Sequence, residues 1–535
     1  MAPDNTVSMS SSATETIPSR RSGDRGLPSH VSVVVVGAGL SGIGAGYRLQ
    51  TQCPGRDYVI LEARDTLGGT WDLFRYPGIR SDSDMFTLAY PFRPWREEAS
   101  IVDGSSILSY LRRCAVELGV EEHVRYGHKV VAASFATDTA VWTLTLERRT
   151  PEGVERAALT CDFLYSCTGY YDYETPHAPD FPGVESFTGR LVHPQFWPPD
   201  LDYAGKRVVV IGSGATAVTL VPAMVRPDAG HGAAAHVTML QRTPTWMASI
   251  PSRDALATRL REHLPAVVAD KLVRAKNVAL STALYEFCRR RPMAARRLLL
   301  RLVAGELNDA QTVADHFTPS YDPWDQRLCA VPDGDFFTAM RAGVVDVVTD
   351  SIAEFVPAGI RLRSGRTLDA DIVVTATGLR LLALGGVTLR VDGRCVALSD
   401  QFVWRGAMIT GLPNFAMCMG YPNASWTLRA DLTSRLVCRV LAWMEREEHA
   451  CVVPQPRGEL TPRPLLDLAA GYIRRSIDIL PRQGHRPPWR MRHNYLLDMV
   501  ATMHSDLGRS LRATPRRRED ERRATRQARR DEGSV

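Results

Sequence analysis

One glycine-spaced turn occurs twice in this chain, each time between an apolar strand-like run and a helical pattern. The first is VSVVVVGAGLSGIGAGYRLQ, with Gly37, Gly39 and Gly42; the second is KRVVVIGSGATAVTLVPAM, with Gly212, Gly214 and Ala217. In such a turn the first glycine permits the tight bend, the second lets the backbone approach a pyrophosphate, and the third small residue lets helix lie against strand. The free N–H groups at the helix start then favour phosphate. Ser41 adds a hydroxyl donor to the first turn. Each unit continues into a second strand, and the two strands end differently. DYVILEA ends in Glu62, twenty residues past Gly42, where a carboxylate accepts from both hydroxyls of an adenosine ribose; AHVTMLQRT ends in Arg242 and Thr243. A guanidinium grips a 2′-phosphate that a carboxylate would repel. The first loop therefore suits FAD and the second NADPH, with an ordinary surface arginine as the alternative for Arg242. The expected fold is α/β, with two Rossmann-like dinucleotide-binding domains.

At 535 residues the chain is long enough for two or three domains. The organisation expected is a flexible N-terminal extension over 1–30, a first part of the FAD domain over 31–170, and an NADPH domain over 171–375. Residues 376–511 then return to the FAD domain and shape the substrate pocket, and 512–535 form a charged disordered tail. That tail holds nine arginines against five acids, so it carries four of the six net positive charges. The remainder is close to neutral, which argues against nucleic acid as a partner. The ten cysteines are scattered without a CxxC pair. This speaks against a metal site and against a flavin disulfide reductase, and it fits a reducing cytoplasm. No apolar run is long enough to span a membrane.

Two further stretches carry the chemistry. GGTWDLFRYPGIRSD, residues 68–82, is a loop by its glycines and Pro77-Gly78, with Thr70 and Trp71 placed to line a flavin and Arg80 and Asp82 as opposite charges. FTGRLVHPQFWP, residues 187–198, fits neither a good helix nor an alternating strand. Together they resemble the two fingerprints of the type I Baeyer–Villiger monooxygenases: [AG]GxWxxxx[FY]P[GM]xxxD in the first, and FxGxxxHxxxW followed by P or D in the second, here Phe187, Gly189, His193, Trp197 and Pro198. YDPWDQRLCAVP and GYPNASWTLRADL are similar to the ethionamide-activating subgroup of that family. The resemblance runs from about residue 31 to 500.

The resemblance implies flavin contacts at Ser41, Glu62, Thr70, Trp71, Asp72, Leu73, Asp82 and, through its backbone, Val130. It implies NADPH contacts at Arg80, Ser81, Asp82, the turn Ser213, Gly214, Ala215, Thr216, Ala217, Val218 and Thr219, and at Arg242 and Thr243. Arg327, from PWDQR, falls on the family's active-site arginine, with Asp82 to hold it. In the implied reaction NADPH reduces FAD, dioxygen adds to give a C4a-peroxyflavin, and one oxygen enters beside a ketone carbonyl to give an ester or lactone. Sulfides or thioamides are further candidate substrates. The fingerprint linker would coordinate domain movement, so His193 is not read as the base. One departure is Gln326, which stands where many members carry a lysine toward the 2′-phosphate. Two alternatives stay open: a flavin-containing monooxygenase oxidising nitrogen or sulfur, against which Trp197 speaks, and a non-catalytic flavin-binding redox sensor. The resemblance implies that the basic, helix-rich insertion at about 251–320 lies in the NADPH domain and helps cover the substrate cavity. Its amphipathic Arg/Leu pattern is read as packing on its own domain, with peripheral membrane contact as the alternative. Trp426 and Trp489 can be pocket or core.

Overall fold

The computed structural model describes residues 26–227, 232–466 and 468–516. Most of the expected N-terminal extension (1–25) and of the charged tail (517–535) lies outside the described residues.

The first unit begins with β1 (His30–Val36), α1 (Leu40–Gln52) and β2 (Tyr58–Leu61). Val33, Val34 and Val35 are fully buried, because this strand is covered on both faces, and each contributes about 1.5–3 kcal/mol of burial. β1 runs parallel to β2, with Val36 opposite Leu61. Its other neighbour completes a meander of β3 (Lys129–Ala136), β4 (Val141–Thr150) and β5 (Gly153–Ser166), in which Val36 lies opposite Ser166. The sheet has nine strands and includes the late segments Thr388–Val391 and Phe415–Met417.

The second unit is a five-stranded, wholly parallel sheet. Its members are β6 (Arg190–Val192), β7 (Arg207–Ile211), β8 (His236–Gln241), β9 (Val345–Thr349) and β10 (Ile372–Thr375), with α2 (Ala215–Met224) between β7 and β8. The order across it is β9, β8, β7, β10, β6. The fold is thus α/β with two Rossmann-like units.

The two glycine turns are built alike. A Cβ on Gly37 would come within 2.8 Å of the Cys167 carbonyl oxygen, and one on Gly212 within 2.3 Å of the Ala376 carbonyl oxygen. Both glycines have positive φ, +101° and +131°. Each turn therefore presses against the strand that leaves its sheet, just before Thr168-Gly169 and Thr377-Gly378. A Cβ on Gly42 would sit 1.8 Å from the Gly37 carbonyl oxygen, so only glycine lets α1 start there.

The insertion folds as α3 (Ala255–His263), α4 (Ala266–Arg290), α5 (Pro292–Leu307) and α6 (Ala310–His316). α4 is clamped to the first unit. Arg274 donates to the carbonyls of Phe86 (2.9 Å) and Ala89 (2.8 Å), while buried Asp270 takes Arg96 (3.0 Å) and Arg261 (3.4 Å). Further on come α7 (Asp335–Arg341), α8 (Trp426–Arg446), which lies along α1 through Arg48–Asp431 (2.7 Å), and α9 (Tyr495–His504).

The expected disordered tail begins too early at 512. Leu511–Pro515 is a strand pairing antiparallel with His449–Pro454, and Leu511 is buried. Backbone pairing tolerates an arginine pointing to solvent, so the charge of Arg512 did not prevent it.

Candidate active site

The carboxyl ends of β1, β2 and β5 open on a cavity of about 1000 Å³, where parallel sheets place their ligands. Gly37, Gly39, Ser41, Glu62, Thr70, Trp71 and Val130 all line it. Its floor is bare backbone: Gly39 and Gly69 face each other, and a Cβ on either would meet the other's Cα at 3.1–3.6 Å. No side chain caps the start of α1, so its first N–H groups stay open to a phosphate. The Ser41 hydroxyl accepts from Trp426 Nε1 at 2.8 Å. Glu62 accepts the Ala38 N–H (2.7 Å) on one oxygen and the Arg64 N–H (2.9 Å) on the other. Burial raises its pKa, and each oxygen keeps a lone pair for a ribose hydroxyl. Thr70 shares a hydrogen bond with Tyr173 (3.0 Å). These residues fit an FAD.

Asp72 and Leu73 depart from expectation. The Asp72 carboxylate is 1% exposed and does not line the cavity. It sits among Arg64 (2.6 Å), Arg75 (2.9 Å) and Arg112 (3.2 Å), where three cations repay its burial. Leu73 packs into the second unit's core. Neither side chain lines the cavity.

Arg80, Ser81, Asp82 and Arg327 converge on the opposite wall. Arg327 Nη1 donates to Asp82 Oδ2 at 3.2 Å, and its Nε is buried without an acceptor. Burial opposes the guanidinium charge, but Tyr170, Asp82, Tyr472 and Tyr171 outweigh it and hold its pKa above the ordinary value. Arg80 does not pair with Asp82; it pairs with buried Asp335 at the start of α7 (2.5 Å). Tyr170 stacks on Trp426 at 5.2 Å, which places Trp426 in the cavity wall, whereas Trp489 is core. Leu280 and Leu284 of α4 line the cavity while remaining 60% and 40% exposed, so they mark its mouth.

Of the second turn, only Ala215 and Thr216 line this cavity. Gly212, Ser213, Gly214, Ala217, Val218, Thr219, Arg242 and Thr243 lie outside its lining. The Ser213 hydroxyl donates to the Thr243 carbonyl (3.0 Å), tying turn to strand end. A Cβ on Gly214 would meet nothing within 4 Å, and the start of α2 is uncapped. Arg242 is exposed and forms no ion pair among the described residues. This open, donor-rich edge with a free cation fits a 2′-phosphorylated dinucleotide. Gln326 makes an isolated bridge with Pro323 and does not line the cavity.

The fingerprint 187–198 forms the edge of the second sheet. Phe187 packs on Phe355 (5.9 Å), and a Cβ on Gly189 would strike the Phe187 ring and the Asp371 carbonyl. Trp197 packs on the core beneath. His193 Nδ1 accepts the Gln195 N–H at 3.1 Å, and burial lowers its pKa. Phe187, Gly189, His193 and Trp197 do not line the cavity. Gln195 links them to it: its Nε2 donates to the carbonyl of Asp172 (2.9 Å), which does line the cavity. Sequence reading passed over Gln195 and Asp335, whose partners lie 23 and 255 residues away.

The flavin-binding monooxygenase-like family matches residues 31–260. The FAD-containing monooxygenase EthA of Mycobacterium tuberculosis H37Rv is 49% identical over 471 residues, 88% of this chain and 94% of that protein. The chain belongs to the FAD-containing monooxygenases. Another similar member is the probable FAD-binding monooxygenase AlmA of Acinetobacter baylyi, 44% identical over 88% of this chain and 93% of the other. The fold is shared with an open cyclohexanone monooxygenase (TM-score 0.65, 21% identity, covering 80% of this chain and 90% of that one). It is also shared with a steroid monooxygenase bound to NADP (0.64, 24%, 80% and 88%). As an FAD-containing monooxygenase the protein uses dioxygen and a small-molecule substrate. Among the described residues no helix is long and apolar enough to cross a membrane, and no group of three or more His, Cys, Asp or Glu is placed to hold a metal.

Proposed function

We propose that this FAD-containing monooxygenase is an NADPH-driven Baeyer–Villiger enzyme that inserts one oxygen atom beside the carbonyl of an apolar ketone. The supporting observation is the Arg327–Asp82 pair at 3.2 Å on the wall of the glycine-floored cavity. The flavin, when bound, supplies hydride acceptance and activation of dioxygen. Gly37, Gly39, Ser41, Glu62 and Val130 hold it, and the open end of α2 with Arg242 holds the nicotinamide dinucleotide. Asp82 fixes Arg327 through Nη1 on the cavity wall, so that the guanidinium charge favours negative charge developing in the cavity. Such an oriented cation is worth most where water is excluded, and Tyr170 and Trp426 supply wall beside it. Because Arg327 is 35% exposed, the bound cofactor and substrate must displace the remaining water. Oxidation of a sulfide or thioamide sulfur in the same cavity is the second reading, and the flavin-binding monooxygenase-like match over 31–260 is common to both.

The test is a screen of purified holoenzyme with NADPH against linear, cyclic and aromatic ketones and a sulfide, under isotopically labelled dioxygen. Esters or lactones carrying one labelled oxygen are expected by mass spectrometry. Sulfoxide alone would establish the second reading, and NADPH consumption with no oxygenated product would overturn both.

A further inference from the structure

A second cavity, of about 640 Å³, opens between the segments 455–457 and 486–492 and α9, outside the site described above. Seven arginines and two aspartates line it. Arg429, 4% exposed, and Arg405 form its floor; Arg457, Arg486, Arg490, Arg492 and Arg509 are exposed around it. Among the described residues only Arg429 is paired with a carboxylate, Asp498 at 2.9 Å, which also accepts from the Tyr421 hydroxyl. The other aspartate, Asp506, makes no ion pair with them. The Nε atoms of Arg405 and Arg429 are both buried without an acceptor. Arg439 brings an eighth guanidinium alongside, its Nη2 on the Ser505 carbonyl (3.0 Å). Burial, and then Arg439, Arg429 and Arg492, lower the Arg405 pKa to about 10.

A folded chain gains nothing by gathering like charges around a concave, partly desolvated space; the arrangement is offset when an anion enters. Guanidinium forks match phosphate oxygens two at a time. The volume is that of a small-molecule site and larger than one phosphate needs. A flat acidic protein surface would meet the rim but not the Arg405 and Arg429 side chains at the floor. We propose that this cavity binds a phosphate-bearing polyanion at a site separate from the flavin and nicotinamide cavity. The phosphates have two sources to choose between, because α9 lines the cavity through Asp498, Ala501 and Thr502 and exposes Leu496, Leu497 and Val500 on its other faces. One source is a soluble polyphosphate; the other is an anionic lipid headgroup with its chains against α9.

The experiment uses FAD-loaded enzyme saturated with NADP⁺, so that the dinucleotide site is filled. Pyrophosphate is titrated calorimetrically at constant ionic strength, and phosphatidylglycerol vesicles are compared with phosphatidylcholine vesicles by co-sedimentation. The double variant R490Q/R492Q changes exposed residues only, and its FAD content and NADPH oxidation report an intact fold. Pyrophosphate binding weakened about a hundredfold in the variant, tenfold per guanidinium, supports a soluble ligand. Selective binding to phosphatidylglycerol that the variant loses supports the lipid headgroup. Absence of both kinds of binding, or equal binding by wild type and variant, overturns the site.

Discussion

At the scale of single residues, the active-site assignment turns on Arg327. Asp82 holds one nitrogen of its guanidinium and another is left without an acceptor, so it is oriented but unsatisfied. Arg327→Ala is expected to keep FAD and NADPH-dependent flavin bleaching while losing ester formation by about 10²–10³, the usual cost of removing one oriented electrostatic donor. Stopped-flow flavin reduction and product yield are the measurements; oxygenation at near-normal rate would remove Arg327 from the chemistry. Nothing in local spacing distinguishes this arginine in a chain with 65 lysines and arginines. Its importance was legible only through the resemblance carried by PWDQR. Glu62 is the opposite case. Its distance from Gly42 and its place at a strand end were enough, because a βαβ unit converts sequence spacing directly into position. Asp72 shows the limit of that conversion. The same motif contains it, but Arg75 three residues on, Arg64 eight residues back and Arg112 forty residues on hold its carboxylate away from the cavity.

At the scale of elements, both glycine turns and their strands were readable, since strand, turn and helix are short-range features. The fingerprint 187–198 was recognisable but its role was not, because its contacts are long-range. It forms β6, the edge of the second sheet, and reaches the cavity through Gln195 and the Asp172 carbonyl. His193 sets that segment by accepting the Gln195 N–H, which requires an unprotonated Nδ1. Burial lowers the His193 pKa below its unfolded value of about 6.5. The unfolded chain therefore takes up the proton first. The stability contributed by neutral His193 is present above the unfolded pKa and is lost as pH falls through the folded one. Thermal melts between pH 7 and pH 5 should show this loss. His193→Asn, whose side-chain oxygen can accept the same N–H without titrating, should flatten part of it. His128, His177 and His316, also lowered by burial, add to the slope in the same direction, while Glu62 and Asp84, raised by burial, oppose it. An unchanged slope in the variant would show that His193 is not a stability-determining proton site.

At the scale of the whole molecule, the two sheets were predictable as units, whereas the docking of the insertion was not. Its amphipathic pattern announces helices with one apolar face, but a periodicity does not say which surface that face meets. α4 crosses to the first unit, where Arg274 seizes two carbonyls and Asp270 joins Arg96 to Arg261. Leu280 and Leu284 on the same helix edge the cavity, so the clamp that positions α4 also sets the mouth. Asp270→Asn leaves the two arginines without their charge partner. Arg96 is 54% and Arg261 19% exposed, so solvent screens much of the loss and the cost should be about 1–2 kcal/mol, less than for a fully buried pair. A fall of a few degrees in Tm is expected, with FAD content unchanged because the glycine-floored groove lies elsewhere. The kinetic consequence separates a clamp from a mere stabiliser. Loosening α4 over the mouth should raise KM for a ketone several-fold while leaving the rate of flavin reduction by NADPH untouched. A variant whose Tm falls but whose KM is unchanged would reduce Asp270 to a structural residue and place control of substrate entry in another element.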